Sequence, residues 1–257
     1  MISGQAVSRM WWIRACLVAL TLVSAACASA PADPDALIAD PYEQTNRDIH
    51  AFNKGVDQVL LKPVSEVYDF ATPALVKHLI ANEVRYLQLP GIFINRLLQG
   101  DIEAAGAALG RFSLNTTLGA VGLLDPATEF GLPHEPTDFG VTLAVWGADE
   151  GIYLELPFFG PATSRHAVGR VVNFVLDPGF LVTAGVIDLS GVLSAAATAR
   201  TPVEVVNARH ENAELINEVL YESEDSYITA RTGYVQFRRR FVGGQDSTEA
   251  LPDIFEE

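Results

Sequence analysis

Hydrophobic positions recur along most of this chain with the period of an α-helix. Ile49, Phe52, Val56, Val59 and Leu60 stand at offsets of 3, 7, 10 and 11, which puts them on one helical face. The segment before them, Asp40-Pro41-Tyr42-Glu43, offers an N-cap acceptor, a proline at the first helical position and a glutamate at the third. A helix is predicted to start there. Thr72-Pro73 repeats the device ahead of Leu75, Val76, Leu79 and Ile80, and Asp101 is placed to cap a helix displaying Ile102, Ala105, Leu109 and Phe112. Most of the 14 prolines read as helix starts or loop corners. Only Gly151 to Phe159 (GIYLELPFF) is more extended than helical. Its proline and aromatics, with no evident partner strand, predict a short irregular segment rather than a sheet. The pattern as a whole predicts an all-α fold.

From Val168 to Ala199 the only charges are Arg170, Asp177 and Asp188. Pro178, Gly179, Gly185 and Gly191 break the stretch, and no uncharged run reaches the ~18 residues of a spanning helix. In a soluble protein this is a buried hairpin; against lipid it is a pair of helices lying in the membrane plane or entering it partway. Gly106 and Gly110, four apart on one helix face, and Gly119 and Gly122 after Asn115-Thr116-Thr117 leave a similar pair of readings. Small residues at helical spacing serve close helix packing within lipid and tight crossings in a soluble bundle alike.

The amino terminus changes the setting. Residues 1–26 carry Arg9 and Arg14, no acid, and an apolar or small run from Ala15 to Ala26, the pattern of a secretory signal. Leu22-Val23-Ser24-Ala25-Ala26-Cys27 resembles a bacterial lipobox, which makes Cys27 the expected lipid attachment site; Ala28-Ser29-Ala30 is the alternative, an ordinary A-x-A cleavage site. With Cys16 removed in the signal, Cys27 has no disulfide partner. Ala28, in place of Asp, resembles lipoproteins passed on to the outer membrane. Residues 27–39 read as a tether, 40–242 as the structured domain and 243–257 as a flexible acidic tail.

Charge narrows the function classes. The chain carries a net charge of −15 at 49% hydrophobic content and a mean hydropathy of +0.21, so charge and apolar surface are expected to be segregated. Without Arg9 and Arg14 the 17 basic residues fall to 15 against 32 acidic, or −17, which argues against a nucleic-acid partner. The acidic run Glu211, Glu214, Glu218, Glu222, Glu224 and Asp225, and Arg231, Arg238, Arg239 and Arg240 after it, read as solvated helix faces. His50, His78, His134, His166 and His210 fall in no metal-binding spacing, and no G-x-S-x-G elbow, phosphate-binding loop or dinucleotide fingerprint occurs. Asp149 and Glu150 are adjacent and read as surface charge. Neither a catalytic site, a metal nor a cofactor is expected.

Three ordered blocks resemble the MlaA/VacJ family of outer-membrane lipoproteins. The first is Asp40-Pro41-Tyr42-Glu43-Gln44-Thr45-Asn46-Arg47 leading to Phe52-Asn53. The second is Leu98-Gln99-Gly100-Asp101, then Arg111-Phe112-Ser113-Leu114-Asn115-Thr116 with Gly119, Gly122 and Asp125. The third is Asp138-Phe139-Gly140 to Trp146-Gly147, followed by Gly151 to Pro161 (GIYLELPFFGP). Asp225-Ser226-Tyr227 with Arg231, Tyr234 and Arg238 closes the pattern, which covers about residues 40 to 240. Ile152 where the family has proline, His166 where Asp is common, and Ser24 in the lipobox depart from it.

The resemblance implies a ring-like helical bundle embedded in the inner leaflet of the outer membrane, with a central amphipathic channel. Through it phospholipid, the transported ligand, would leave the outer leaflet and pass to a soluble periplasmic carrier, beside a trimeric porin. No bond is broken; a polar lining lowers the cost of carrying a headgroup through hydrocarbon, and the carrier sets the direction. The candidate channel or motif residues are Phe52, Asn53, Asn115, Thr116, Gly119, Gly122, Asp138, Phe139, Gly140, Tyr153 and Pro157. Neutral groups at Asn115 to Thr117, with room left by Gly119 and Gly122, suit a headgroup path; the alternative is that they cap a helix and permit close packing. A porin-associated scaffold without transport activity is the rival function, and a phospholipase a further one.

Overall fold

The computed structural model describes residues 37–177 and 192–243. The signal segment, Cys27, nearly all of the tether, residues 178–191 of the apolar stretch and residues 244–257 lie outside the described residues.

Helix α1 (Glu43–Val56) runs into a π-helical turn (Asp57–Leu61) and on into α2 (Lys62–Ala71). Then come α3 (Ala74–Gln99), α4 (Ile102–Thr117), the short α5 (Pro126–Glu129) and α6 (Phe139–Val145). After strands β1 (Tyr153–Leu156) and β2 (Gly160–Thr163) follow α7 (Ser164–Leu176), α8 (Val192–Glu211), α9 (Ala213–Asn217), a second π-helical turn (Glu218–Glu222) and α10 (Ser226–Gly243). Helices α3 and α4 form the most extensive helix pair; α6 packs on α7 and α3, and α8 on α2 and α3.

Local chemistry accounts for the α3–α4 corner. Gly100 takes a left-handed conformation (φ 78°), its N–H bonds Leu97 O, and Asp101 N–H reaches back to Arg96 O. These are the two bonds of a Schellman stop. Asp101 then caps α4 through Oδ1 to Ala104 N at 3.0 Å, as its sequence context predicts. The start of α1 differs from expectation. The helix begins at Glu43 with Tyr42 at the cap, and Asp40 instead accepts from Tyr227 Oη, from Arg231 at 2.7 Å and from Asn46 at 2.8 Å. Charged and phenolic donors outcompete backbone amides for the carboxylate.

The segment after Gly151 is also a correction. Tyr153–Leu156 pairs antiparallel with Gly160–Thr163, with Tyr153 opposite Thr163 and Leu156 opposite Gly160. Gly160-Pro161-Ala162-Thr163 has little strand propensity, which hid it in the sequence; a proline is tolerated there because β2 is an edge strand of a two-stranded sheet. Gly160 (φ 70°) and Phe158 (φ 66°) supply the turn.

Two small apolar clusters hold the fold. Tyr86, Leu89, Ile92 and Ala108 pack between α3 and α4, and Ile38, Tyr153, Tyr227 and Val235 pack between the hairpin and α10. Among the described residues as many polar as apolar side chains are buried. The faces that periodicity predicts are real but not uniformly buried: Ala105 on α4 is 1% exposed, whereas on α1 the buried residues are Asn46 and His50, Phe52 is exposed and Val59 in the following turn is 80% exposed. Leu75 and Val76 on α3, and Ile102 and Leu109 on α4, also face outward, whereas Arg111 and Asn115 face in. Arg238, expected in a solvated run, is 5% exposed.

Candidate functional site

A cavity of about 520 Å³ opens between the second half of α1, the hairpin turn, α9 with its π-helical turn, and α10. Leu215, Val219 and Phe237 form apolar wall, and His50, Asn53, Lys54 and Glu155 supply polar lining. His50, Asn53 and Lys54 share a face of α1 because they stand at i, i+3 and i+4.

Glu155 is 3% exposed and its oxygens are engaged. Tyr153 donates to Oε2 at 2.5 Å, Asn53 donates to Oε1 at 3.3 Å, and His50 Nδ1 lies 3.4 Å from Oε1. Burial, reinforced by this carboxylate, pushes the Tyr153 phenol up, so it remains a donor. On the other side of its ring His50 contacts Ser226 Oγ at 3.1 Å, and Lys54 Nζ reaches the same hydroxyl at 3.5 Å.

The hairpin is held over this lining by two amides of α1. Asn46 donates to Tyr153 O at 3.4 Å and accepts from Glu155 N–H at 2.9 Å; Asn53 donates to Leu156 O at 3.0 Å and accepts from Phe158 N–H at 2.8 Å. Seven helical residues and three extended ones both advance about 10 Å, so side chains two turns apart stand in for the strand that β1 lacks on that edge. Phe52 lies outside this contact, edge-on to Phe158 at 5.1 Å, and Pro157 is exposed in the turn.

The second motif forms a separate knot. Arg111, 2% exposed, bonds both oxygens of Asp125 at 2.9 Å, and Asn115 donates to Asp125 Oδ1 at 2.9 Å while accepting from Ala127 N–H at 3.1 Å. Burial would raise the Asp125 carboxyl, but the bonds from Thr128, Asn115 and Arg111 outweigh it and hold it low. The loop this closes passes through positive φ at Ala120, Val121 and Gly122. A Cβ at Gly122 would lie 2.4 Å from the Tyr86 ring, and one at Gly119 would lie 2.5 Å from Leu124 O. Tyr86 stacks on Phe112 and contacts Thr116 Oγ1 at 2.9 Å.

A third cluster surrounds Asp138, which caps α6 through Val141 N–H at 3.0 Å. Gly140 admits Arg238, whose Nη2 would lie 2.7 Å from a Cβ there, and Gly169 of α7 sits against the Gly140 backbone. Phe139 is edge-on to Trp146, and its N–H donates to Asn173 at 3.2 Å. Burial, with Arg238 and Arg170 nearby, pushes His166 down to about 4, and its Nδ1 lies 2.5 Å from Tyr234 Oη. Thus Asn53 lines the cavity and Tyr153 bonds its Glu155, while the Asn115–Gly122 and Asp138–Gly140 groups occupy two other clusters. Sequence reasoning does not single out His50, Lys54 and Glu155 as site residues; the helical spacing of the first two with Asn53, and a lone acid inside an apolar strand, are the available signals.

Among the described residues no group of side chains has the makings of a metal site, and no helix is long and apolar enough to cross a membrane.

The chain is similar to known proteins over most of its length. A protein of Rickettsia felis without a characterised role is 34% identical over 204 residues, 79% of this chain and 78% of that one. The intermembrane phospholipid transport system lipoprotein MlaA of Haemophilus influenzae is 31% identical over 221 residues, 83% and 84% of the two chains. Its Escherichia coli namesake is 30% identical over 244 residues, 91% and 90%. A solved structure concerned with maintenance of bacterial outer membrane lipid asymmetry superposes with a TM-score of 0.64 at 28% identity, over 80% of this chain and all of that one. The MlaA lipoprotein family model matches residues 38–241, and this chain belongs to the MlaA lipoprotein family.

Proposed function

We propose that this protein removes phospholipid from the outer leaflet of an outer membrane and passes it toward a soluble periplasmic carrier, so maintaining lipid asymmetry, without acting as an enzyme. Relatives named for intermembrane phospholipid transport support this reading. The observation that carries it is the exposed apolar surface: large apolar side chains such as Val59, Phe70, Leu75 and Ile102 are 68 to 94% exposed, while polar and charged side chains are buried as often as apolar ones. Moving only those four from water into hydrocarbon is worth on the order of 10 kcal/mol. A helical ring set in the inner leaflet, tethered through Cys27 and bound beside a porin trimer, makes sense of that surface.

In this reading the headgroup enters the cavity beside Asn53 and Glu155, with acyl chain against the wall formed by Leu215, Val219 and Phe237. The Asn115–Gly122 segment and the Asp138–Gly140 turn border the rest of the path. The lining lowers the cost of taking a polar headgroup through an apolar layer, and removal of lipid by the carrier gives direction. The deciding experiment measures outer-leaflet phospholipid in a strain lacking the gene, with and without complementation. Exposure that rises on deletion and falls on complementation is expected; unchanged asymmetry sinks the transport reading and favours a porin scaffold.

A further inference from the structure

Lysine is scarce in this chain: only Lys54, Lys62 and Lys77 occur. Lys77 pairs with Asp69. Lys54 and Lys62 instead flank the ring of Tyr221, with Nζ at 5.6 and 4.7 Å from its centroid, and neither pairs with a carboxylate among the described residues. Asp57, the acid nearest Lys54 in sequence, is occupied by Arg209 at 2.7 and 3.1 Å and by Tyr221 at 2.7 Å. Of the two lysines only Lys54 lines the cavity.

Three groups in that lining can carry charge: His50, Lys54 and Glu155. Glu155 has its side chain 1% exposed and its oxygens engaged by Tyr153, Asn53 and His50, so burial closes it to a ligand. Lys54 is half-buried, and among the described residues its ammonium meets the Tyr221 ring and hydrogen-bonds the Ser226 hydroxyl at 3.5 Å, itself bonded to His50 at 3.1 Å. An ammonium with spare donors beside an adjoining apolar wall matches a phosphate ester attached to an alkyl chain.

We propose that Lys54 is the phosphate-binding group of this cavity and makes it a capture site for anionic amphiphiles. The proposal rests on the transport reading and adds the ligand chemistry. One partly solvated cation suits capture followed by release, whereas an Arg cluster would hold the phosphate fast.

The test uses the full chain in a non-ionic maltoside detergent and measures affinity by thermophoresis for three probes: myristoyl lysophosphatidylglycerol, monomyristoylglycerol and glycerol 3-phosphate. The wild type is expected to prefer the lysophospholipid, with a preference that falls as salt rises, and to leave glycerol 3-phosphate unbound because the chain supplies most of the affinity. Lys54→Gln should weaken lysophospholipid binding about five- to tenfold without changing the affinity for monomyristoylglycerol. Lys54→Arg should keep the preference, and Lys62→Gln should leave all three affinities unchanged. Equal binding of both amphiphiles by the wild type, or a preference that survives Lys54→Gln, overturns the role of Lys54 alone. Tight binding of glycerol 3-phosphate replaces the lipid with a free phosphate ester as the ligand. Failure of the wild type to bind any probe overturns both this proposal and the cavity as the lipid path.

Discussion

Arg238 holds Asp138 by two hydrogen bonds of 2.7 Å, one to each carboxylate oxygen, across 100 positions of sequence. The same carboxylate caps α6, so one acid joins the last described helix to the start of another. Burial alone would raise the Asp138 carboxyl, but the Arg238 bonds hold it below the usual range. Removing one partner strands the other, which costs about 3–5 kcal/mol for a buried pair. Asp138→Ala and Arg238→Met should each lower the unfolding midpoint sharply, and the double variant should lose much less than the sum. Additive losses in a double-mutant cycle would show that the two groups act independently.

Asn53 is expected to govern the order of the hairpin turn. Asn53→Leu leaves Leu156 O and Phe158 N–H without their amide partner, at about 1–3 kcal/mol per group that stays buried. Asn53→Asp can still accept from Phe158 N–H but brings a second carboxylate to Glu155, so it should not rescue. Hydrogen exchange at the Phe158 amide is the measurement: both variants should speed it well above wild type. Unchanged exchange would mean the turn holds itself.

A pH dependence follows from two buried imidazoles. Burial together with neighbouring guanidinium groups, Arg238 and Arg170 around His166 and Arg111 and Arg85 around His134, brings each ring to about 4. Between the ordinary histidine value of ~6.5 and about 4, the unfolded chain binds protons that the folded one refuses, so stability falls as pH falls through that window. Above it neither state is protonated and the effect vanishes. The Asp125 and Asp138 pairs lose their contribution only at lower pH, as their carboxylates protonate. Unfolding midpoints taken from pH 7 to pH 4.5 should drop less steeply in His134→Gln/His166→Gln than in wild type. Parallel slopes would assign the acid sensitivity to other groups.

Features set by neighbours in sequence were legible, and those set by distant partners were not. Asp101 reads as a cap because its acceptor meets an amide three residues on. Asp40 reads as the same thing, yet Tyr227 and Arg231, 187 and 191 positions away, claim it. The face shared by Phe52 and Val59 is fixed by helical periodicity, but periodicity carries no information about what surrounds the helix, so it could not show that this face points outward. The amides Asn46 and Asn53 appear in the sequence as polar residues two turns apart. That they edge a strand depends on a hairpin whose second half, Gly160–Thr163, has almost no strand signature.

Gly122 separates packing from passage. Its φ of 96°, and a Tyr86 ring only 2.4 Å from where a Cβ would lie, mean that any side chain there is strained and clashes. Gly122→Leu is therefore expected to lower the amount of membrane-inserted protein, which says nothing of lipid movement. Gly122→Ala combined with Tyr86→Leu relieves the clash but not the backbone strain, and costs the Tyr86 contacts to Phe112 and Thr116, so it should recover part of that amount. If the Asn115–Gly122 segment borders the headgroup path, the recovered protein should still leave phospholipid in the outer leaflet, because an added methyl and a lost phenol both alter the surface that Thr116 and Tyr86 share. Recovery of abundance and asymmetry together would take this segment off the path and leave the Asn115–Gly122 motif with a purely structural role.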